Sequence, residues 1–439
     1  MAVTDDVGVG RAKRILQRIF RDYGGNLAVQ LWNGETLRFG ADSPETTLIF
    51  HHAQTLRDLI LFRDPLRLAE AYFAGRVSVE GDIYASLRLK DHLRSMSLSV
   101  REKAALVSST LFLKDGSGQE MSATASPRQR MPLSRLRSWR GHSKTTNRNA
   151  IAFHYDISNE FYNLWLDRQM VYSCAYFEYP DEGLDQAQEN KLEHICRKLR
   201  LKPGERLLDI GCGWGALIRW AARHYGVHAH GVTLSRNQYE YGLRKIREEG
   251  LQDMVTLELK DYRDLEGEAR FDKIASVGMF EHVGLKNLPV YFSTAHRLLK
   301  PGGLFLNHGI TSDEEGWQKT VSTEFINRYV FPDGEMDTVS NIQRAMEHTR
   351  FEILDVEALR PHYALTLRHW VKRLEEHRED ALQHVSEATY RVWRLYMAAC
   401  ALQFEKGVIG VYQILVAKKV GGFDAVPLTR RDLYFIESN

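Results

Sequence analysis

The stretch Leu207-Leu208-Asp209-Ile210-Gly211-Cys212-Gly213-Trp214-Gly215 constrains this chain more than any other. An apolar strand over Arg206–Ile210 runs straight into glycines, and the glycines run into a helical pattern over Ala216–Tyr225. Glycine lets a backbone turn sharply and approach a ligand closely. The spacing is G-x-G-x-G. It lacks the Lys and Ser/Thr of a phosphate loop, and it is not the G-x-G-x-x-G of dinucleotide folds. A tight turn alone would look similar. Asp209, set immediately before the glycines, argues for a ligand-binding loop.

The surroundings support that reading. After residue 150, strands at 228–232, Val255–Leu259, 273–277 and 304–307 alternate with helices at 237–249 and 288–299, with a turn at Lys300-Pro301-Gly302-Gly303. Two further strands are expected at 351–356 and 411–417, the last a candidate antiparallel addition. Such β-α-β alternation predicts a doubly wound α/β domain, its parallel sheet covered by helices on both faces. Residues 1–105 read as a smaller α+β unit. It has a helix over 11–23 (Ile15, Leu16 and Ile19 on one face), short strands within 27–39 around Asn33-Gly34, and a helix over Pro65–Phe73. The expected division is 1–105, a linker over 106–150, and a catalytic domain over 151–439.

Composition excludes more than it selects. A net charge of +2 offers no global field to choose an anionic partner. The four cysteines, Cys174, Cys196, Cys212 and Cys400, form no C-x-x-C pair and no metal spacing, so no metal is expected and free thiols in a cytoplasmic setting are. The N-terminus lacks an apolar signal region, and no run is long enough to span a bilayer. A lipid substrate would be met from the membrane surface. The linker has one local feature: Arg128, Arg130, Arg135, Arg137, Arg140, Lys144 and Arg148, interleaved with Leu133, Leu136 and Trp139, with no acid between Glu120 and Asp156. This is either a solvated tether or an anchor for anionic lipid, where each cation is worth about 1 kcal/mol. No nucleic-acid module accompanies it, so nucleic acid is not expected as a partner.

Open α/β sheets bind ligands at the carboxyl ends of their strands. Those ends read Gly211-Cys212-Gly213, then Thr233, then Asp261-Tyr262, then Gly278-Met279-Phe280-Glu281-His282, then Asn307-His308-Gly309-Ile310. Glu281 and His308 fall at neighbouring ends, where they could hold or act as a base. No G-x-S-x-G elbow provides a serine nucleophile.

Asp209 and its glycines resemble the first motif of S-adenosylmethionine-dependent methyltransferases. Several further words are similar to the cyclopropane fatty acid synthase family: His154-Tyr155-Asp156-Ile157-Ser158-Asn159-Glu160-Phe161-Tyr162, Met170-Val171-Tyr172-Ser173-Cys174-Ala175-Tyr176-Phe177, and the stretches 231–238, 276–284, 300–303 and 325–331. His362-Tyr363-Ala364-Leu365-Thr366-Leu367 and Trp370 complete the set, in order over about 151–420. The first hundred residues, notably 69–75 and 79–82, are similar to the N-terminal domain of phospholipid-acting members. The resemblance implies a Rossmann-like class I methyltransferase fold and S-adenosylmethionine as donor, held near Tyr172, Ser173, Asp209, Gly211, Gly213, Thr233, Gln238, Asp261 and Tyr262. It implies a bicarbonate ion held by Cys174 and Ile310 through their backbones and by Glu281, His308 and Tyr363. It further implies an unsaturated phospholipid acyl substrate, a homodimer, and a cytoplasmic enzyme peripherally associated with the membrane.

The chemistry makes sense of these residue types. An alkene attacks the sulfonium methyl and leaves a carbocation, which water would trap unless excluded. Aromatic faces stabilise cations, and Tyr176, Phe177, Phe280, Tyr329 and Phe331 are candidates as well as ordinary core. Loss of a proton then closes a cyclopropane ring. Two departures stand out. No acid ends the second strand, so Thr233, Ser235 and Gln238, or Asp209, must serve the donor's ribose. Asp337 replaces a proline usual in the family, in a segment with extra acids. A methyl-branched or methylene product therefore stays open, as do a small-amine N-methyltransferase and a non-catalytic lipid binder. The N-terminal unit weighs against the amine reading, and the retained loop and Glu281 against the non-catalytic one.

Overall fold

The computed structural model describes residues 3–62, 65–95, 101, 108, 110, 113, 157–316, 321–330, 334–421 and 426–434. The basic run at 128–148, the word His154-Tyr155-Asp156, and Phe331 lie outside the described residues. The chain divides into two compact units, Met1–Met131 with Ser386–Ala399, and Pro132–Val385 with Cys400–Asn439.

In the first unit, α1 (Val3–Ile19) precedes β1 (Leu27–Gln30), β2 (Thr36–Phe39), β3 (Thr46–Phe50), α2 (Ala53–Phe62), α3 (Pro65–Phe73), β4 (Val77–Gly81) and α4 (Ile83–Ser95). The sheet order is β2-β1-β3-β4, with β1 and β3 parallel and the outer pairs antiparallel. The turn between β1 and β2 sits at Gly34, as the Asn-Gly pair predicts. The first helix ends at Ile19, short of the expected 23. Phe20 and Tyr23 leave the helix, and Phe20 packs on Phe39 of β2 with ring centroids 5.1 Å apart. The segment 386–399 belongs here because two arginines feed the sheet edge. Arg391 Nη1 donates to the carbonyls of Tyr72 and Val77, and buried Arg394 donates to those of Val79 and Gly81.

The second unit runs α5 (Asn159–Asn163), α6 (Leu184–Lys198), β5 (Arg206–Ile210), α7 (Ala216–Tyr225), β6 (His228–Thr233), α8 (Arg236–Glu248), β7 (Val255–Leu259), β8 (Phe271–Val277), α9 (Leu288–Leu298), β9 (Leu299–Ser312), α10 (Val321–Tyr329), α11 (Val339–His348), β10 (Phe351–Ala358), α12 (Arg360–Glu376), α13 (Arg378–His384), the end of α14 (Glu387–Lys406, whose residues up to Ala399 belong to the first unit), β11 (Ile409–Lys418) and α15 (Arg431–Tyr434). The sheet order is β10-β11-β9-β8-β5-β6-β7. Strands β5 to β9 are parallel, and β11 is antiparallel to both β9 and β10. The strand order reverses between β5 and β8, the switch point where such sheets bind ligands.

Strand periodicity explains both cores. Leu207, Leu304, Leu306, Leu415 and Ala417 face one layer of helices, while Leu208, Phe305, Ile414 and Val416 face the other. Strands buried on both faces read as continuous apolar runs rather than alternating ones. One expectation changes: Lys300–Gly303 is not a free turn, because β9 begins at Leu299, which pairs with Phe271. The strand also runs on to Ser312, past the expected end.

Candidate active site

A cleft of about 1130 Å³, counted out to its mouth, opens at the carboxyl ends of β5, β6 and β8. Tyr172, Ser173, Asp209, Gly211, Gly213, Thr233, Gln238, Asp261 and Tyr262 all line it. Gly211 is required twice over. Its φ is +80°, and a Cβ there would lie 2.7 Å from Met279 Cγ. Gly213 has φ +55° with open space where a Cβ would stand, so the loop leaves room for a ligand against bare backbone.

The end of β6 carries hydroxyls that are already engaged. Thr233 Oγ1 donates to Gln238 Oε1 at 2.8 Å, and Ser235 caps α8 through the Gln238 N–H. Asp261 is held by Arg263, whose Nη2 donates at 2.6 Å. Asp209 stands apart: it is buried, and its Oδ1 has no hydrogen-bond partner among the described residues. Burial pushes its carboxyl up to about 7, against the pull of Lys191.

Lys191 was not foreseen. It is fully buried in α6, lines the cleft, and donates from Nζ to Ser173 Oγ at 2.9 Å. Burial pulls it down to about 8, opposed first by Asp167. Gln188, three residues earlier on the same face, donates to the Ser173 carbonyl at 2.9 Å. Asp167 accepts the N–H groups of Gln169 and Val171, both at 2.8 Å. Side chains rather than a ladder thus fix the segment 167–174 as one cleft wall. Behind it, Tyr172 packs on Trp370 at 5.1 Å between centroids.

A second, smaller group lies behind the wall 278–283. Glu281 is buried in a single turn after β8. Its Oε1 accepts the Ile310 N–H at 2.6 Å, while Oε2 has no partner among the described residues. Burial pushes this carboxyl up to about 7. His308, two residues before Ile310 on β9, is 2 % exposed and held well below the usual imidazole range by burial. Gln413 lies 3.3 Å from its Nδ1, and its Nε2 has no partner among the described residues. Gly309 between them is obligatory, since a Cβ would run into the Phe280 ring.

Cys174 and Tyr363 join this group through Leu359. The Cys174 thiol donates to the Leu359 carbonyl at 3.8 Å, the Tyr363 N–H to the same carbonyl at 3.2 Å, and the Leu359 N–H to Val411, the partner of Ile310. Burial pushes the Cys174 thiol up, so it stays a thiol. The Tyr363 ring packs between Trp370 and Phe404. Glu281 is therefore joined to Ile310 by contact and to His308 by strand position, while Cys174 and Tyr363 meet at the Leu359 carbonyl, one strand pairing away from Ile310.

Among the aromatic candidates, Phe280 is core, Tyr176 stacks between His194 and His362, Phe177 stacks on His369, and Tyr329 packs on Phe325. Two acids of the unusual segment, Glu335 and Asp337, have structural partners. Glu335 accepts the Leu285 N–H and donates its own N–H to the Glu281 carbonyl, while Asp337 accepts from Gly316, Thr338 and Asn341. Among the described residues there is no metal-type cluster and no helix long and apolar enough to cross a membrane.

Comparisons with known proteins find relatives over most of the chain. Residues 142–414 match the family described as mycolic acid cyclopropane synthetase, and residues 12–92 match a domain of unknown function, DUF7884. A probable fatty acid methyltransferase of Pseudomonas putida is 42% identical over 93% of this chain and 96% of its own. The cyclopropane-fatty-acyl-phospholipid synthase of Escherichia coli K12 is 41% identical over 61% of this chain and 67% of its own. The crystal structure of mycolic acid cyclopropane synthase CmaA1, complexed with SAH and CTAB, superposes with a TM-score of 0.59 at 34% identity, covering 62% of this chain and 98% of that one. With its loop, its sheet order and most of its length accounted for in this way, the chain belongs to the mycolic acid cyclopropane synthetase family, whose fold is that of the class I S-adenosylmethionine-dependent methyltransferases.

Proposed function

We propose that the chain transfers a methylene unit from S-adenosylmethionine to the double bond of an unsaturated phospholipid acyl chain, closing a cyclopropane ring, with bicarbonate receiving the released proton. At the coarser level the chain is a donor-dependent lipid methyltransferase, as its family membership supports. The observation that supports the finer reading is two unpartnered buried atoms, Glu281 Oε2 and His308 Nε2, on residues linked through β9, Glu281 being next in sequence to the cleft-lining His282. Buried polar atoms are nearly always satisfied in native proteins, so such a pair points to a ligand.

The residues fit both small molecules. The loop at 211–213, Ser173 with Lys191, and the free oxygen of Asp209 suit a donor with a carboxylate and an ammonium. With its carboxyl pushed up to about 7, Glu281 in its protonated form is a donor, and neutral His308 is one through its single ring N–H, as a buried oxyanion requires. The Ile310 N–H acts through Glu281 rather than directly. When bound, bicarbonate would supply the base, held by Glu281 and His308, and Glu281 can pass the proton on.

The electron accounting is simple. The alkene π pair forms the bond to the methyl carbon, and the C–S pair stays on sulfur. A C–H bond of the new methyl group then breaks. Its electron pair closes the ring on the cationic carbon, and its proton leaves to the base. The chamber wall excludes water during this interval. In the same reading, the N-terminal unit engages lipid at the membrane face of the cytoplasm and forms a homodimer. The basic run at 128–148, outside the described residues, adds attraction to anionic lipid.

A methyl-branched or methylene product is the second reading, favoured by the fatty acid methyltransferase relative that spans nearly the whole chain. The test is incubation with labelled S-adenosylmethionine and monounsaturated phospholipid vesicles, then mass and unsaturation analysis of the acyl chains. Gain of one CH₂ with loss of the double bond supports the ring. The same gain with unsaturation kept supports the second reading. Label in a small amine, and none in lipid, would remove both.

A further inference from the structure

His308, Gln413 and Glu357 form one row across three strands. Gln413 pairs in register with His308 on one side and with Glu357 on the other. Directly opposed residues of antiparallel strands hold their side chains close together on one face. Gln413 is fully buried, with its Nε2 3.3 Å from His308 Nδ1. It is the one amide in a strand, Ile409–Lys418, whose other buried side chains are apolar. Replacing a buried apolar residue with an amide is costly unless the amide is needed.

The groups around His308 argue that it carries a single proton. Burial disfavours a cationic ring most, Lys191, Lys198 and His194 add to it, and Glu357 opposes them. Glu357 is itself engaged by His194 at 2.8 Å and by Lys198. A neutral imidazole has one N–H, on Nδ1 or on Nε2, and the partner of one nitrogen sets the state of the other. With the Gln413 amide N–H toward Nδ1, that nitrogen is the acceptor and the proton resides on Nε2. Nε2 is the atom without a partner among the described residues, and the same strand carries Ile310, whose N–H donates to Glu281.

We propose that Gln413 is a positioning residue that fixes His308 as the neutral Nε2–H tautomer, so that the chamber presents a hydrogen-bond donor rather than a lone pair. This deepens the proposed function and rests on it for its purpose, since an anion in the chamber needs that donor. The opposite tautomer would aim a lone pair at the anion, and the two would repel.

The test is imidazole ¹⁵N NMR of the full chain labelled at histidine, near pH 7 and without donor or lipid, with the His308 signals assigned by their absence in His308→Asn. The expected wild-type spectrum shows a protonated Nε2 and an unprotonated Nδ1. In Gln413→Glu the carboxylate accepts from Nδ1–H, so the tautomer inverts or the ring gains a second proton. Gln413→Leu, which removes both functions of the amide, loses the Nε2–H preference and serves if the glutamate variant fails to fold. Turnover in the leucine variant falls about tenfold, the scale of one lost hydrogen bond to a charged group, with S-adenosylhomocysteine affinity unchanged. A wild-type Nδ1–H or doubly protonated His308 overturns the proposal, and so does an Nε2–H tautomer that survives both substitutions. The spectrum needs neither donor nor acyl chain, so a wrong tautomer sinks the role of Gln413 alone. A correct tautomer in a protein that modifies no lipid sinks the proposed function instead.

Discussion

Glu281 serves two demands that oppose each other. Catalysis wants a carboxyl facing the chamber, whereas folding disfavours a buried acid with one oxygen unsatisfied. The sign follows from its raised value. Its protonated form is favoured in the fold, so its contribution is fully present below the ordinary carboxylate range and lost as pH rises through about 7. Glu281→Gln keeps the bond from Ile310 without the charge. The variant therefore gains stability over the parent as pH rises from about 4.5 to 7, up to about 3 kcal/mol, and the gain levels off above that. Denaturant melts at pH 5 and pH 8 measure it. In the proposed function Glu281 passes on the proton that bicarbonate receives, which an amide cannot do, so acyl-chain turnover falls by about a hundredfold while S-adenosylhomocysteine still binds. Lys191→Met, in turn, weakens S-adenosylhomocysteine binding about tenfold by calorimetry, and weakens binding of the decarboxylated analogue much less. The residues missed in the sequence share a signature. Gln188 and Lys191 sit on the buried face of α6 among Leu184, Ala187, Leu192 and Ile195, and Gln413 interrupts an apolar strand. A lone polar residue in an apolar pattern usually marks a satisfied core group. Its neighbours, which only the fold supplies, decide whether it is more.

Elements that depend on local pattern were legible, and those that depend on distant partners were not. Helix Pro65–Phe73 and strands Arg206–Ile210 and Val255–Leu259 fall where periodicity puts them. The extent of β9 could not be read, because its first and last residues pair with Phe271 of β8 and Ile409 of β11, which are remote in sequence. The attachment of 386–399 to the first unit depends on Arg391 and Arg394 reaching carbonyls more than three hundred residues earlier. No window on the sequence contains both ends of such a bond. Two substitutions probe this scale. Gly309→Ala drives a methyl into Phe280 and strains the strand that carries His308 and Ile310, costing about 1–3 kcal/mol by thermal or chemical melting. Arg394→Met strips two carbonyls of a buried donor and costs about 2 kcal/mol, with cofactor affinity in the other unit unaltered.

At the scale of the molecule, the doubly wound sheet was written in the alternation of strands and helices, and the cleft stands at the ends the sequence indicated. The sequence resolved the donor loop more fully than the chamber. A loop is contiguous, whereas Glu281, His308 and Gln413 come from three separated segments that meet only through the pairing of β8 with β9 and of β9 with β11. The central claim is that a methyl group is transferred and then gives up one hydron inside that chamber. Trideuteromethyl S-adenosylmethionine, incubated with the protein and monounsaturated phospholipid vesicles in the presence of bicarbonate, tests it most directly. The account predicts an acyl chain with a saturated cyclopropane whose new carbon carries two deuterons, the third having left to solvent. A product that keeps all three deuterons on a methyl branch would contradict it.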